Sequence, residues 1–186
     1  MKLLNKLSDY IHYFENILNL SVCDQIVNDS TKKEFVPAPT GTKTNKNNYR
    51  NCYTKPLNKK YDSIIFKAVG NVLLKYQEKH NFFKYNFLTN DSMQDTGYTH
   101  LLYKGDEKGE YKIHIDHYDV HPRVLSISLI LTDNYEGGDF CFFEKNNFFV
   151  KKKKGSAIVF PSNFCFPHAV TPVLGGDRHS IVTWIR

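Results

Sequence analysis

From residue 83 onward this chain is a succession of short strand-like segments, and that pattern limits its fold more than any other feature. The segments fall near 83–89, 97–104, 111–116, 123–132, 139–143, 147–151, 156–160, 168–173 and 179–185, with Gly, Pro and Asn turns between them. So many short strands predict a sandwich or barrel. Ahead of them, residues 58–79 place Ile65, Val69, Val72, Leu73 and Tyr76 near helical spacing, which predicts an amphipathic helix packed on one face of the sheet. Residues 10–18 read as a strand leading into a short helix near 21–29, with Ser21 as its N-cap. Residues 31–55 are rich in Lys, Asn, Thr, Pro and Gly and read as a long mobile loop. The expectation is a mainly β protein with buttressing helices. It forms one domain over 1–186, a helical and strand support over 1–82 and a barrel carrying the motifs over 83–186.

Composition narrows the function classes. With 41% hydrophobic and 15% aromatic residues, 186 residues can bury a real core, which excludes a disordered chain. The net charge of +6 is moderate, and much of it lies in Lys151–Lys154, read as a solvated hairpin rather than a nucleic-acid patch. Cys23, Cys52, Cys141 and Cys165 show no paired spacing and read as reduced thiols, which with the absence of a visible secretory signal points to the cytoplasm. No apolar run approaches the length of a membrane span.

The chemistry concentrates in Tyr111-Lys112-Ile113-His114-Ile115-Asp116. Period-two alternation sets Tyr111, Ile113 and Ile115 on one face and His114 and Asp116 on the other. A second histidine, His168, reaches the pair only by folding back across a barrel. Two imidazoles and a carboxylate on one side of a metal, with open positions opposite, describe a non-haem Fe(II) oxygenase centre. His117-Tyr118-Asp119 is a rival of the same form, but it falls past the end of the alternating strand. His12, His80, His100, His121 and His179 lack a carboxylate at strand spacing or lie outside the motif, and read as surface or core histidines.

The surrounding motifs carry a resemblance. Tyr103-Lys-Gly105 precedes Tyr111-x-x-His114-x-Asp116. Then come Arg123-Val-Leu-Ser126, Tyr135-Glu-Gly137-Gly138-Asp139-Phe140 and the 155–162 strand. The series ends in Pro167-His168-Ala-Val170-Thr-Pro172-Val173 and Gly176-Asp-Arg178-His-Ser180-Ile-Val-Thr-Trp184. In order and spacing this resembles the 2-oxoglutarate- and Fe(II)-dependent dioxygenases of the prolyl 4-hydroxylase type. The resemblance implies a double-stranded β-helix (jelly roll), with iron on His114, Asp116 and His168. It implies that Arg178 anchors the distal carboxylate of 2-oxoglutarate in a bidentate fork, with Tyr103 and Ser180 beside it. Trp184 matches a tryptophan near the site, and Arg50-Asn51-Cys52 resembles an Arg-x-Ser segment near the peptide groove, so both are candidates for touching substrate. Asp116 argues for hydroxylation, since halogenating relatives carry a small residue there.

The implied reaction hydroxylates a C–H bond of peptidyl proline and releases succinate and CO2, with ascorbate as an accessory reductant. A proline-containing peptide or protein is the implied partner. A free amino acid, a small molecule or an alkylated nucleobase is the alternative substrate. The spacing of Arg186 from Arg178 departs from the nucleobase repair enzymes and argues against nucleic acid. A barrel that binds without catalysis is the remaining alternative. Where one subgroup carries a tyrosine pair, one of them on the cosubstrate, this chain has Leu129-Ile130-Leu131-Thr132, so that contact is made differently. Residues 36–50 are too long for a simple connector and are expected to close over substrate.

Overall fold

The computed structural model describes residues 6–30, 34–39, 49–80, 94–117, 120, 122–143 and 148–186. The strand expected near 83–89 lies outside the described residues, as does 40–48, most of the segment expected to close over substrate.

Two antiparallel sheets make the body. The larger has seven strands. They are β1 (His12–Phe14), β2 (Val36–Pro37), β4 (Tyr53–Pro56), β5 (Thr99–Lys104), β7 (Leu125–Ile130), β11 (Ala157–Pro161) and β14 (Asp177–Ile185), in the order β1-β11-β7-β14-β5-β4-β2. The smaller has five: β3 (Arg50–Asn51), β6 (Glu110–His114), β9 (Phe140–Phe142), β10 (Phe148–Val150) and β12 (His168–Val170), in the order β10-β9-β12-β6-β3. A ribbon of β8 (Glu136–Gly137) and β13 (Val173–Gly175) closes one end. Strands from before residue 83 thus join both sheets.

Period-two burial gives the large sheet two working faces. On β14, Ile181 and Ile185 join a core with Leu125, Ile127 and Leu129 of β7 and with the helices, while Val182 packs inward with Tyr103 of neighbouring β5 and with Val170 of the facing sheet. Every residue of β7 is buried because that strand is central and covered on both sides. The outer cover is α1 (Leu20–Asn28) and α2 (Asp62–Lys79). Helix α2 buries Ile65, Ala68, Val69, Val72 and Tyr76, the stripe expected from spacing except that Leu73 is only partly buried. Helix α1 is capped by Asn19 rather than Ser21: the Asn19 side chain accepts from the Ser21 backbone N–H, so Ser21 is a capped residue inside the first turn.

The stretch read as a loop over 31–55 contains strands β2, β3 and most of β4. On β4 polar partners hold the side chains. Lys55 Nζ meets Glu34 Oε2 at 2.6 Å, and the Tyr53 hydroxyl donates to Glu107 Oε2 at 2.8 Å. The turn after Tyr135 needs glycine: Gly137 has φ +63°, and a Cβ there would meet the Pro172 carbonyl oxygen at 2.2 Å. Three lysines of the run pair separately, Lys152 with Asp139, Lys153 with Glu15 and Lys154 with Asp24. Among the described residues no helix is long and apolar enough to cross a membrane.

Candidate metal centre and cosubstrate pocket

β6 and β12 lie side by side with His114 opposite His168. Asp116 follows two residues after the end of β6. The three side chains offer ligand atoms within 4.8 Å of one another. His114 Nε2 is 3.7 Å from Asp116 Oδ1, and His168 Nε2 is 3.5 Å from Asp116 Oδ2. The tautomers follow from the other ring nitrogens. His114 Nδ1 lies 2.9 Å from the Lys112 carbonyl oxygen, and His168 Nδ1 lies 3.1 Å from that of Phe166. A carbonyl oxygen only accepts, so each Nδ1 carries the proton and each Nε2 turns a lone pair toward the carboxylate. Burial, with His168 alongside, pushes the His114 pKa down and favours the neutral ring a metal needs. Two imidazoles and a carboxylate fit the donor set of a facial iron site.

The carboxylate is held from behind. Burial disfavours its charge, but His168, His114 and hydrogen bonds from Trp184 and Ser126 outweigh it and hold Asp116 below the usual carboxylate range. Ser126 Oγ donates to Asp116 Oδ2 at 2.7 Å and pairs with Ser162 Oγ at 2.8 Å. Arg123 donates to the Asp116 carbonyl oxygen at 3.1 Å and lies 3.7 Å from the Trp184 ring centroid. The roles of Ser126 and Arg123 were not expected, although both stand in a motif already noted.

Tyr111 corrects the alternation. It does not point away from His114: the rings stack with centroids 3.5 Å apart at 16°. The cause is a register shift in which β12 moves from His168 to Val170 while β6 moves from His114 to Tyr111. Three steps on one strand oppose two on the other, a bulge that brings Tyr111 round to the metal side. Nothing in the local pattern signals it. Phe140 stacks on His168 at 5.3 Å, and Phe160 meets it edge-on at 4.7 Å.

Arg178 and Ser180 share the inward face of β14 with Val182 and Trp184. Arg178 is 3% exposed. Its Nη1 donates to Ser180 Oγ at 3.1 Å, and its guanidinium lies 5.0 Å from the ring centroid of Tyr103. Among the described residues no carboxylate pairs with it, and its Nε has no hydrogen-bond partner. Burial raises the Tyr103 pKa, keeping the phenol protonated, and its hydroxyl bonds the Cys52 thiol. At the place of the tyrosine pair, Ile130 packs with Phe142 and Phe160, and the Thr132 hydroxyl is engaged by the backbone of Asp177 and His179.

Two cavities meet at the triad. A small one of about 50 Å³ is lined by Tyr103, His114, Asp116, Ser128, Phe140 and His168 among others. An open cleft of about 520 Å³ runs past Arg50, Thr54, Arg123 and Trp184 up to Asp116. Arg50 stacks on Tyr111 at 4.4 Å and donates to the Pro39 carbonyl oxygen at 2.8 Å. The small cavity therefore brings together six of the expected site residues, Arg50, Tyr103, His114, Asp116, His168 and Trp184, while Arg178 and Ser180 line neither cavity and adjoin the first through Tyr103. His117 is exposed and outside the triad, and Tyr118, Asp119 and His121 lie outside the described residues. The remaining histidines pair in two clusters: His12 with His80 at 2.8 Å, and His100 with His179 at 3.0 Å.

Known proteins share this architecture. Residues 98–186 match the model of the 2OG-Fe(II) oxygenase superfamily. A PKHD-type hydroxylase of Alteromonas mediterranea is 39% identical over 74 residues, 37% of this chain and 30% of the hydroxylase, so the match spans less than a third of that relative. A viral collagen prolyl hydroxylase from Paramecium bursaria Chlorella virus 1 in complex with 2OG superposes with a TM-score of 0.69 at 21% identity, over 95% of this chain and 96% of its own. A Trichoplax adhaerens prolyl hydroxylase, in complex with a peptide fragment of the hypoxia inducible factor oxygen degradation domain, gives 0.73 at 18% identity over 96% and 84%. A Pseudomonas putida prolyl-4-hydroxylase gives 0.67 at 20% identity over 95% and 92%. At these identities the superpositions establish the shared fold, the jelly roll implied by the motifs.

Proposed function

We propose, from the match of residues 98–186 to the 2OG-Fe(II) oxygenase superfamily model, that this chain is a prolyl 4-hydroxylase-like dioxygenase that hydroxylates proline within an extended peptide. The observation that carries the reading is Arg178, a buried guanidinium with no carboxylate among the described residues, on the strand face that also bears the triad's neighbours. A buried charge is stable only when paired. The distal carboxylate of 2-oxoglutarate supplies that pair in a bidentate fork, as lysine would not. Ser180 orients the guanidinium, and the Tyr103 hydroxyl gives a further donor once it leaves Cys52.

His114, Asp116 and His168 would hold the iron through their Nε2 and carboxylate oxygens. Bound there, the iron would activate dioxygen with two electrons from 2-oxoglutarate, one oxygen atom leaving in succinate beside CO2 and the other entering a substrate C–H bond. The protein's own part is orientation and exclusion. Ser126 and Trp184 fix the Asp116 carboxylate. Phe140, Phe160 and Tyr111 wall the ligands from water. The cleft beside them leads substrate to the open side of the triad, between Arg50 and Trp184. Its openness favours a chain segment over a free amino acid, and a Pro-rich segment binds as a preformed polyproline II strand with little ordering cost. The peptide bound by the Trichoplax enzyme supports the same choice.

The test incubates the protein with Fe(II), 2-oxoglutarate and, to keep iron reduced, ascorbate. Free L-proline, a Pro-rich peptide and an alkylated oligonucleotide are compared by product mass. The expected result is gain of one oxygen on the peptide with stoichiometric succinate. Hydroxylation of free proline alone, or demethylation of the oligonucleotide, overturns the substrate assignment.

A further inference from the structure

The structure assigns Ser128 as a cosubstrate-binding residue: we infer that its hydroxyl donates a hydrogen bond to a carboxylate oxygen of 2-oxoglutarate. This rests on the reading above that 2-oxoglutarate binds between the triad and Arg178. Ser128 is 3% exposed and lies in the middle of β7. Its Oγ is buried without a hydrogen-bond partner among the described residues. A hydroxyl left unpaired in a core costs stability, and a natural chain retains one where a ligand completes it.

The position says which ligand. Ser128 lines the small cavity with Asp116, His168 and Tyr103. On the same inward face, two residues back, Ser126 holds the Asp116 carboxylate. Across the ladder Ser128 pairs with Val182, and the next inward position of β14, Ser180, holds Arg178. Ser128 therefore stands between the group that fixes a metal ligand and the group that fixes the anchor. Steps of two residues along a strand cover roughly 7 Å, which matches the reach of a five-carbon dicarboxylate. The same strand has apolar Leu129 and Ile130 at the place of the tyrosine pair, and Ile130 packs into a phenylalanine cluster. The polar contact on β7 has moved to Ser128.

The experiment is calorimetric titration of 2-oxoglutarate, without oxygen, into manganese-loaded wild type, Ser128→Ala, Ser128→Thr and Arg178→Ala. A hydrogen bond to a charged oxygen predicts that Ser128→Ala weakens binding by about tenfold or more. Ser128→Thr, which keeps the hydroxyl, should stay near wild type, while manganese affinity is unchanged in both. Wild-type affinity in Ser128→Ala beside a weakened Arg178→Ala would overturn the inference and leave the function standing. Equal weakening in the Ala and Thr variants would also overturn it, by pointing to packing. No binding by the wild type would remove the functional reading itself.

Discussion

The Tyr111 ring lies flat against the His114 imidazole, 3.5 Å between centroids, with the Arg50 guanidinium 4.4 Å from the same phenol ring. A metal ligand is thereby held by stacking as well as by its Nδ1 hydrogen bond. Tyr111→Leu should lower metal affinity by about tenfold, the lower end of the loss seen when groups supporting metal ligands are removed. Tyr111→Phe should leave it unchanged, because the stack needs the ring and not the hydroxyl. Equilibrium dialysis with Mn(II) separates the two.

Ser126 makes a sharper case. Its hydroxyl donates to Asp116 Oδ2 at 2.7 Å. Ser126→Ala leaves the carboxylate free to rotate and should reduce metal affinity by about 10–100-fold. Thermal stability measured without metal should change little. A large loss of stability with unchanged metal affinity would make Ser126 a packing residue only.

Two histidine pairs should make the fold acid-sensitive. Burial, then His179 and Lys55, lower the His100 pKa to about 3. Burial, then His80 and Lys79, lower that of His12 to about 4. Both folded values lie below the unfolded value near 6.5. Between those limits the unfolded chain binds protons that the folded chain refuses, so stability falls as pH drops from about 6.5 toward 4 and is flat above 7 with respect to these groups. Urea midpoints between pH 7.5 and 5 should decline in the wild type. The decline should be shallower in His100→Leu, by about one proton's share.

The core beneath α2 should be separable from the site. Ile65 is fully buried between that helix and the large sheet. Ile65→Ala should cost about 2–5 kcal/mol by leaving a cavity. Metal affinity of the folded fraction should remain that of the wild type, since no triad residue touches this face.

The chain's pattern revealed some of this architecture and concealed the rest, for physical reasons. The closeness of His114, Asp116 and His168 is legible because strand spacing and turn glycines leave a strict order in the sequence. The helical stripe of α2 was legible because Ile65, Val69, Val72 and Tyr76 face one core. Tyr111 was misplaced because the bulge opposite His168 and Val170 is set by the partner strand, which lies more than fifty residues away. β4 is hidden because Lys55 and half-buried Tyr53 are held by Glu34 and Glu107, pairs that no local alternation records. Ser126 and Ser128 read as ordinary strand residues, and only the cavity distinguishes them.

The central claim is that His114, Asp116 and His168 together form one metal site. Its most direct test is anaerobic Fe(II) titration of the wild type and of His168→Ala, with bound iron measured after dialysis. The account predicts one equivalent in the wild type and none in the variant, with the variant still folded by circular dichroism. One equivalent bound by His168→Ala at wild-type affinity would contradict it.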